Sequence, residues 1–436
     1  MRIAWIGPLG DGGGVPSMGA LLMESVLRQP GVSVEYFGSV RKEQLPGSLP
    51  QCENLTVTTD QSGWQWGKWY SRTPMLSFLS GSVARARAYN RLATRLIERH
   101  RAEPFDCVFQ FSWAELFKLG RHLDELPPLV VYPCVHTAGE LRWHRRESRY
   151  ARQSEKFLMH YAVRLFLTYR AWRQRGEYRK PAMVLGMSRR FNEIAAQDYG
   201  LDPAAMGVLY HPIALPQESQ EPQERAAKSV ARQSRPIKLL YVSRISVRKG
   251  LEQIVELSRR LDDLHGQVQL DVIGSRTQWS DYTGHLKELN PRIARHVGWV
   301  DHIDMAAIYA SADALVLPSM YEPGGLVVGE ALARGACVVA SDEVGSAETV
   351  AADVCRKFPA GDVDAFEKSV RDLIDNIRTR GPELRQHAAD EARRHFAPEK
   401  IALELIEHLR CAAVARAPGQ ALETARAAEL DLVVVR

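Results

Sequence analysis

Ser319-Met-Tyr-Glu322-Pro-Gly-Gly325-Leu-Val-Val-Gly-Glu330-Ala-Leu-Ala is the stretch from which the fold can be read. Just before it, residues 313–319 hold the apolar run Ala314-Leu-Val-Leu317, which predicts a short buried strand. Residues 321–325 are a proline- and glycine-rich turn, and 326–334 predict a helix stopped by Gly335. Strand, turn and helix make one crossover of a parallel sheet. Glu322 then sits beyond the carboxyl end of a strand, where such sheets bind ligands. Gly324 and Gly325 allow close approach of the backbone, and the N–H groups of a helix N-terminus suit a phosphate. Glu330 falls among Val327, Val328, Ala331 and Leu332, where a carboxylate needs hydrogen-bond donors, and sugar hydroxyls would serve. Taken alone, the two glutamates read as an ordinary turn residue and an exposed helix residue rather than as a site.

The same rhythm extends in both directions. Strands are predicted at 3–7, 32–37, 107–111, 129–132, 183–187 and 207–210, with helices between them. A second series runs through 237–242, 270–273, 297–298, 314–317 and 336–340. Between the series, 216–236 is rich in Gln, Glu, Ser, Arg and Lys with three prolines and has no apolar period, so it reads as a linker. A chain of 436 residues is also too long for one core. The expectation is therefore α/β, with two Rossmann-like domains facing each other across a cleft: 1–215 and 237–395. Residues 398–411 predict an amphipathic helix, and 396–436 form a C-terminal helix plus tail.

Charge separates the halves. Residues 1–215 hold 28 Lys+Arg against 19 Asp+Glu, or +9; the rest hold 29 against 33, or −4, which together give the net +5. That excess is too small for a dedicated nucleic-acid binder, and an anionic surface or a phosphate ligand fits better. Six cysteines are scattered without C-x-x-C or Cys/His clusters, which argues against zinc and disulfides and fits a reducing cytoplasm. No run approaches the ~18–20 apolar residues of a membrane span.

Further chemistry is concentrated in a few places. Arg244 follows one predicted strand and Lys249 precedes the next helix, in Tyr241-Val-Ser243-Arg244-Ile-Ser-Val-Arg-Lys249-Gly250. Two cations at a strand-to-helix junction can neutralise a pyrophosphate leaving group. The loop Gly10-Asp-Gly12-Gly13-Gly14-Val15 supplies no G-x-G-x-x-G frame and no Walker lysine follows it. Asp362-Val363-Asp364 has the form of a D-x-D metal motif, but it precedes Ala-Phe-Glu-Lys and predicts a helix N-cap, so no metal is implied. Residues 142–180 interleave 12 Lys/Arg with eight aromatics and only three Glu. Such a segment suits an interfacial helix on an anionic membrane, or a solvated helix packed on the first domain.

Glu322-x7-Glu330, with Pro318-Ser319 upstream and Val-Val-Ala-Ser-Asp342-Glu-Val-Gly345 downstream, resembles the E-x7-E signature of retaining glycosyltransferase family 4. The resemblance implies the GT-B fold, donor-sugar contact by Glu322 and ribose contact by Glu330. It implies a diphosphate held by the backbone of Gly325, Leu326 and Val327. Arg244-x4-Lys249-Gly250 is similar to that family's G-R-x4-K-G, with Ser243 in place of the glycine. Gly13 and Gly14 match its glycine turn facing the donor, and His136, just past a predicted strand, matches its active-site histidine. The family also implies that the 398–411 helix packs back on the first domain. Gly324 stands where the family usually has an aromatic residue, which leaves the donor sugar open. The function implied is metal-independent, retaining transfer from a UDP- or GDP-sugar, without a cofactor. The acceptor would be a glycan, lipid-linked or of the cell envelope, or a small soluble molecule. A GT-B nucleotide-sugar epimerase and an inert nucleotide-binding partner remain as alternatives, as does an RNA- or lipid-surface module resting on 142–180. The expected location is the cytoplasm, peripheral to the inner face of the membrane.

Overall fold

The computed structural model describes residues 1–10, 14–112, 115–148, 157–216, 235–276 and 281–414. The chain divides into two compact units: Met1–Glu140, Leu165–Pro212 and Pro398–Arg436 form one, and Leu141–Arg164 with Ile213–Ala397 form the other.

The first unit is built on seven parallel strands. They are β1 (Arg2–Ile6), β2 (Ser33–Gly38), β3 (Leu55–Thr59), β4 (Cys107–Ser112), β5 (Leu129–Pro133), β6 (Met183–Gly186) and β7 (Met206–Val208). Their order is β3-β2-β1-β4-β5-β6-β7, so the winding direction reverses between β1 and β4. Strands covered on both faces need continuous apolar runs. Ile3, Ala4, Trp5 and Ile6 are accordingly all buried, and the Trp5 ring lies 4.6 Å from that of Phe109. The helices are α1 (Val15–Leu27), α2 (Pro74–Ala102), α3 (Thr137–Arg146), α4 (Phe157–Glu177) and α5 (Arg189–Tyr199). Both α3 and α4 run on into the stretch 141–164.

The second unit has β8 (Ile237–Val242), β9 (Val268–Ile273), β10 (Ala294–Gly298), β11 (Ala314–Leu317), β12 (Cys337–Ser341) and β13 (Cys355–Phe358), all parallel. Their order is β10-β9-β8-β11-β12-β13, with the reversal between β8 and β11. Its helices are α6 (Leu251–Arg260), α7 (His302–Ser311), α8 (Leu326–Ala333) and α9 (Val363–Phe396). α10 (Pro398–Val414) lies in the first unit, packed against α1, with Ile401, Leu405, Ile406 and Leu409 buried. Each such side chain contributes roughly 1.5–3 kcal/mol of burial.

Two strands carry no clear sequence signal. β3 and β13 lie at sheet edges, where Thr56 is exposed and Arg356 half-buried, so no apolar run marks them. The predicted linker falls almost wholly on 217–234, outside the described residues, as does the tail from 415.

Candidate active site

The reversal between β8 and β11 creates a crevice at their carboxyl ends, because the flanking helices depart on opposite faces of the sheet. The loop after β8 carries Arg244 and Lys249, and the loop after β11 carries Glu322. The structure brings two of them together: the Lys249 ammonium forms an ion pair with the Glu322 carboxylate. Only 10% of the lysine side chain and 19% of the glutamate side chain reach solvent. Both are poorly hydrated, so an arriving anion meets Lys249 in a medium where charge acts strongly.

Several bonds fix this junction. Met320 donates its amide to the Arg248 carbonyl at 2.8 Å, linking the two loops. Gly250 has φ +80°, and a Cβ there would lie 2.1 Å from the Pro318 carbonyl oxygen. Only glycine permits that approach. Buried Tyr241 donates its hydroxyl to the Lys249 carbonyl at 3.0 Å, and Ser243 Oγ donates to the Tyr241 oxygen at 2.6 Å. Ser243, where the resemblance has glycine, thus braces the lysine through a tyrosine. Glu147 Oε1 accepts the Arg248 amide at 2.7 Å. Arg244 is exposed at the rim.

The Glu322 turn is held from the other side by the loop after β12. The Glu322 amide donates to the Glu343 carbonyl at 3.2 Å, and the Gly345 amide donates to the Glu322 backbone carbonyl at 3.0 Å. The Ser346 amide reaches the Gly324 carbonyl and its hydroxyl the Gly325 carbonyl, both at 2.8 Å. Gly325, with φ 98° and ψ 56°, precedes α8, and a Cβ there would stand 2.7 Å from Ser346 Oγ. Leu326 and Val327, both partly exposed, open the helix, so its N-terminal dipole is presented beside Lys249 and Glu322. Glu330 is partly exposed one turn further on, and its Oε2 accepts the Tyr309 hydroxyl at 2.8 Å. Burial, and then the Glu330 carboxylate, hold the Tyr309 hydroxyl far above its ordinary pKa, so it stays a donor.

In the first unit, Gly14 is the N-cap of α1, and Gly13 lies outside the described residues. His136 immediately precedes α3, and its side chain is 1% exposed. Its Nε2 lies 3.1 Å from the Asp198 carboxylate, and its ring packs edge-on against Phe191 and Tyr199. As placed, the imidazole faces Asp198 rather than solvent. Ser112 ends β4 with φ 74°, a strained angle for a serine, at this sheet's own reversal point. Asp362 accepts the Ala365 amide at 2.9 Å as the N-cap of α9, and Asp364 faces Arg260. The D-x-D is therefore a helix start. Among the described residues, no group of three or more His, Cys, Asp or Glu is placed to hold a metal.

Sequence reasoning missed Tyr309, Ser346, Glu147 and Asp198. Ser346 directly follows the quoted Val-Gly345 and could have been reached from it. The others join the site from elements distant in the chain and leave no local signal.

Comparison with known proteins bears on the second unit's sequence and on the fold. Residues 222–395 match the sequence model of the family described as Glycosyl transferases group 1. Glycogen synthase of Mycobacterium tuberculosis is 33% identical over 166 residues, which is 38% of this chain and 39% of that enzyme. The chain thus spans about two fifths of the length of that curated relative. Among solved structures, sucrose-phosphate synthase from Thermosynechococcus elongatus aligns with a TM-score of 0.63 at 19% identity, covering 94% of this chain and 98% of that one. Anabaena Alr3699/HepE in complex with UDP and glucose aligns at 0.56 and 17% identity, covering 94% and 99%. The fold is GT-B.

Proposed function

We propose that this protein is a glycosyltransferase that moves a sugar from a UDP- or GDP-sugar to an acceptor, with retained anomeric configuration and without a metal. The observation that carries the reading is the Lys249–Glu322 pair at the β8/β11 reversal, beside the Gly325-led start of α8. A nucleoside diphosphate needs positive charge that does not have to reorganise, and this junction offers it from Lys249, Arg244 and the helix dipole. Glu322, loosened from Lys249 by the arriving diphosphate, then accepts hydrogen bonds from sugar hydroxyls. Glu330, held by Tyr309, accepts those of the ribose in this reading. Leaving-group stabilisation carries the reaction, and no covalent nucleophile is assigned. The similarity of 222–395 to group 1 glycosyltransferases and the UDP bound by HepE support the donor class.

The acceptor is proposed to be a glycan, lipid-linked or of the cell envelope, reached at a membrane surface. No helix among the described residues is long and apolar enough to cross a membrane. The first unit nevertheless exposes Trp66, Trp69, Leu165, Tyr169 and Trp172 beside exposed Lys68, Arg72 and Arg175. Phe78 on α2 and Phe166 on α4 meet at 4.8 Å, so the two helices that follow and carry these groups pack together. Aromatic and basic side chains together suit an anionic interface.

The test incubates the purified chain with labelled UDP- and GDP-sugars, with and without lipid-linked acceptors, with and without EDTA, and assigns the product anomer by NMR. Transfer that resists EDTA and keeps the donor configuration is expected. Epimerised donor formed without acceptor, or nucleotide binding with no turnover on any acceptor, would replace the proposal. Co-sedimentation with anionic vesicles that weakens as salt rises is expected for the membrane face; absence of binding even at low salt would remove it.

A further inference from the structure

The second sheet has a cavity at its other end. Its volume is about 640 Å³, and it opens at the amino ends of β8, β9, β11 and β12, the edge opposite Lys249 and Glu322. A space of this size accommodates a small metabolite. Its polar lining is dominated by Arg235, Arg378 and Arg385, with Asp313 the one acidic residue among the described lining residues. Against the three positive charges stand Asp313 and, at the rim, Asp375 paired with Arg378, which leaves a formal balance of +1.

The arginines are fixed rather than loose. Arg235 grips Asp313 with two bonds, of 2.8 and 2.9 Å. Asp313 Oδ2 also accepts the Lys238 amide at 2.9 Å, and Arg385 stands 3.9 Å from Oδ1, so one carboxylate is shared among several donors. Arg385 donates to the carbonyls of Ala312 and Arg334, each at 2.8 Å, which orient its guanidinium without neutralising it. Arg378 donates to Gln267 Oε1 at 2.7 Å and to the exposed Asp375 carboxylate at 3.3 Å, and keeps 38% of its side chain exposed.

The wall itself is broken at this point. α9 leaves helical geometry at Arg380, with φ −128° and ψ 20°, and Pro382 follows. Proline suits the first turn of a restarted helix and is costly within one. The break sets Arg378 and Thr379 on one side of the cavity mouth and the restarted helix, with Arg385, on the other. The restarted helix presents its N-terminal dipole to the same space. Fixed guanidinium groups, a helix N-terminus and room for a six-carbon body together select a compact organic phosphate.

We propose that this cavity is a second ligand site, distinct from the β8/β11 crevice, which binds a small phosphorylated metabolite of sugar-monophosphate class. The site lies at the roots of the strands whose tips carry the candidate active site, so its occupant can modulate transfer through β8 and β11.

Isothermal titration of the full chain tests the site. The probes are a hexose 6-phosphate, inorganic phosphate, the neutral hexose and UDP, measured on wild type and on Arg378→Gln. Arg378 is chosen because its exposed side chain can be replaced without unseating a backbone carbonyl. One hexose-phosphate site per chain is expected, weakening with salt, not displaced by saturating UDP, and at least about tenfold weaker in Arg378→Gln. Tighter binding of inorganic phosphate than of the hexose phosphate would overturn the sugar-monophosphate assignment. Failure of any phosphate to bind, equal binding by both proteins, or full competition by UDP would each overturn the proposal. The readout is binding, so it stands apart from the transferase reading. Basal transfer by Arg378→Gln without phosphate should stay within about twofold of wild type.

Discussion

Replacing Lys249 by alanine removes the charge proposed to face the donor diphosphate. The lysine side chain is 10% exposed and its carboxylate partner 19% exposed, so water screens the ammonium poorly. Two unit charges about 4 Å apart at an effective dielectric near 20 attract by roughly 4 kcal/mol. Part of that attraction is present in the ground state, and measured losses for one preorganised electrostatic donor run about 2–4 kcal/mol. The expectation for Lys249→Ala is therefore a fall in kcat/KM of roughly 30- to 900-fold. The variant also strands Glu322, so the melting temperature is measured alongside, and Lys249→Ala/Glu322→Ala completes the cycle. Because the two residues touch, their effects on kcat/KM should be non-additive, by about 0.5–3 kcal/mol. A release assay for the nucleoside diphosphate provides the rates. A kcat/KM within threefold of wild type, in a variant that melts normally, would refute the role assigned to Lys249.

Other outcomes follow from the same geometry. Gly325→Ala forces a Cβ onto a backbone of φ 98° and against Ser346, so about 1–3 kcal/mol of stability should be lost, together with nucleotide affinity; unchanged denaturant unfolding would contradict this. Tyr309→Phe deletes the hydroxyl that holds Glu330 and should cost roughly 0.5–1.5 kcal/mol, with weaker nucleotide binding measured by titration. His211 is buried, 2.6 Å from the Tyr132 hydroxyl, and burial brings its pKa down from 6.5 to about 4. The folded chain keeps this imidazole neutral while the unfolded chain takes up a proton. Stability is therefore whole above about pH 6.5 and is lost as pH falls towards about 4, by on the order of 3 kcal/mol. Urea unfolding between pH 4 and 7 should show that slope, and His211→Gln should flatten it.

The α/β rhythm was legible because buried parallel strands announce themselves as apolar runs, as at β8 and β11, which were read within a residue of their ends. β3 and β13 were missed because edge strands alternate and mix in polar residues. The pairing of Lys249 with Glu322 was half legible: each lay in a loop of recognisable chemistry, but only the strand order makes β8 and β11 neighbours. Glu330 was read as a carboxylate seeking donors, and its donor inside the protein proved to be Tyr309, 21 positions away in the chain. His136 stands out through its match to the resembled family's histidine, yet nothing local foretells the Asp198 carboxylate beside it.

The β8 and β11 loops together are proposed to bind a sugar nucleotide. Titration of UDP and GDP into wild type and Glu330→Ala, read as ligand-induced stabilisation, tests it most directly. One nucleotide at 100 times its Kd should stabilise the wild type by about 2.7 kcal/mol, and Glu330→Ala should lose most of that gain at the same concentration. Stabilisation by neither nucleotide, or equal stabilisation of both proteins, would contradict the account.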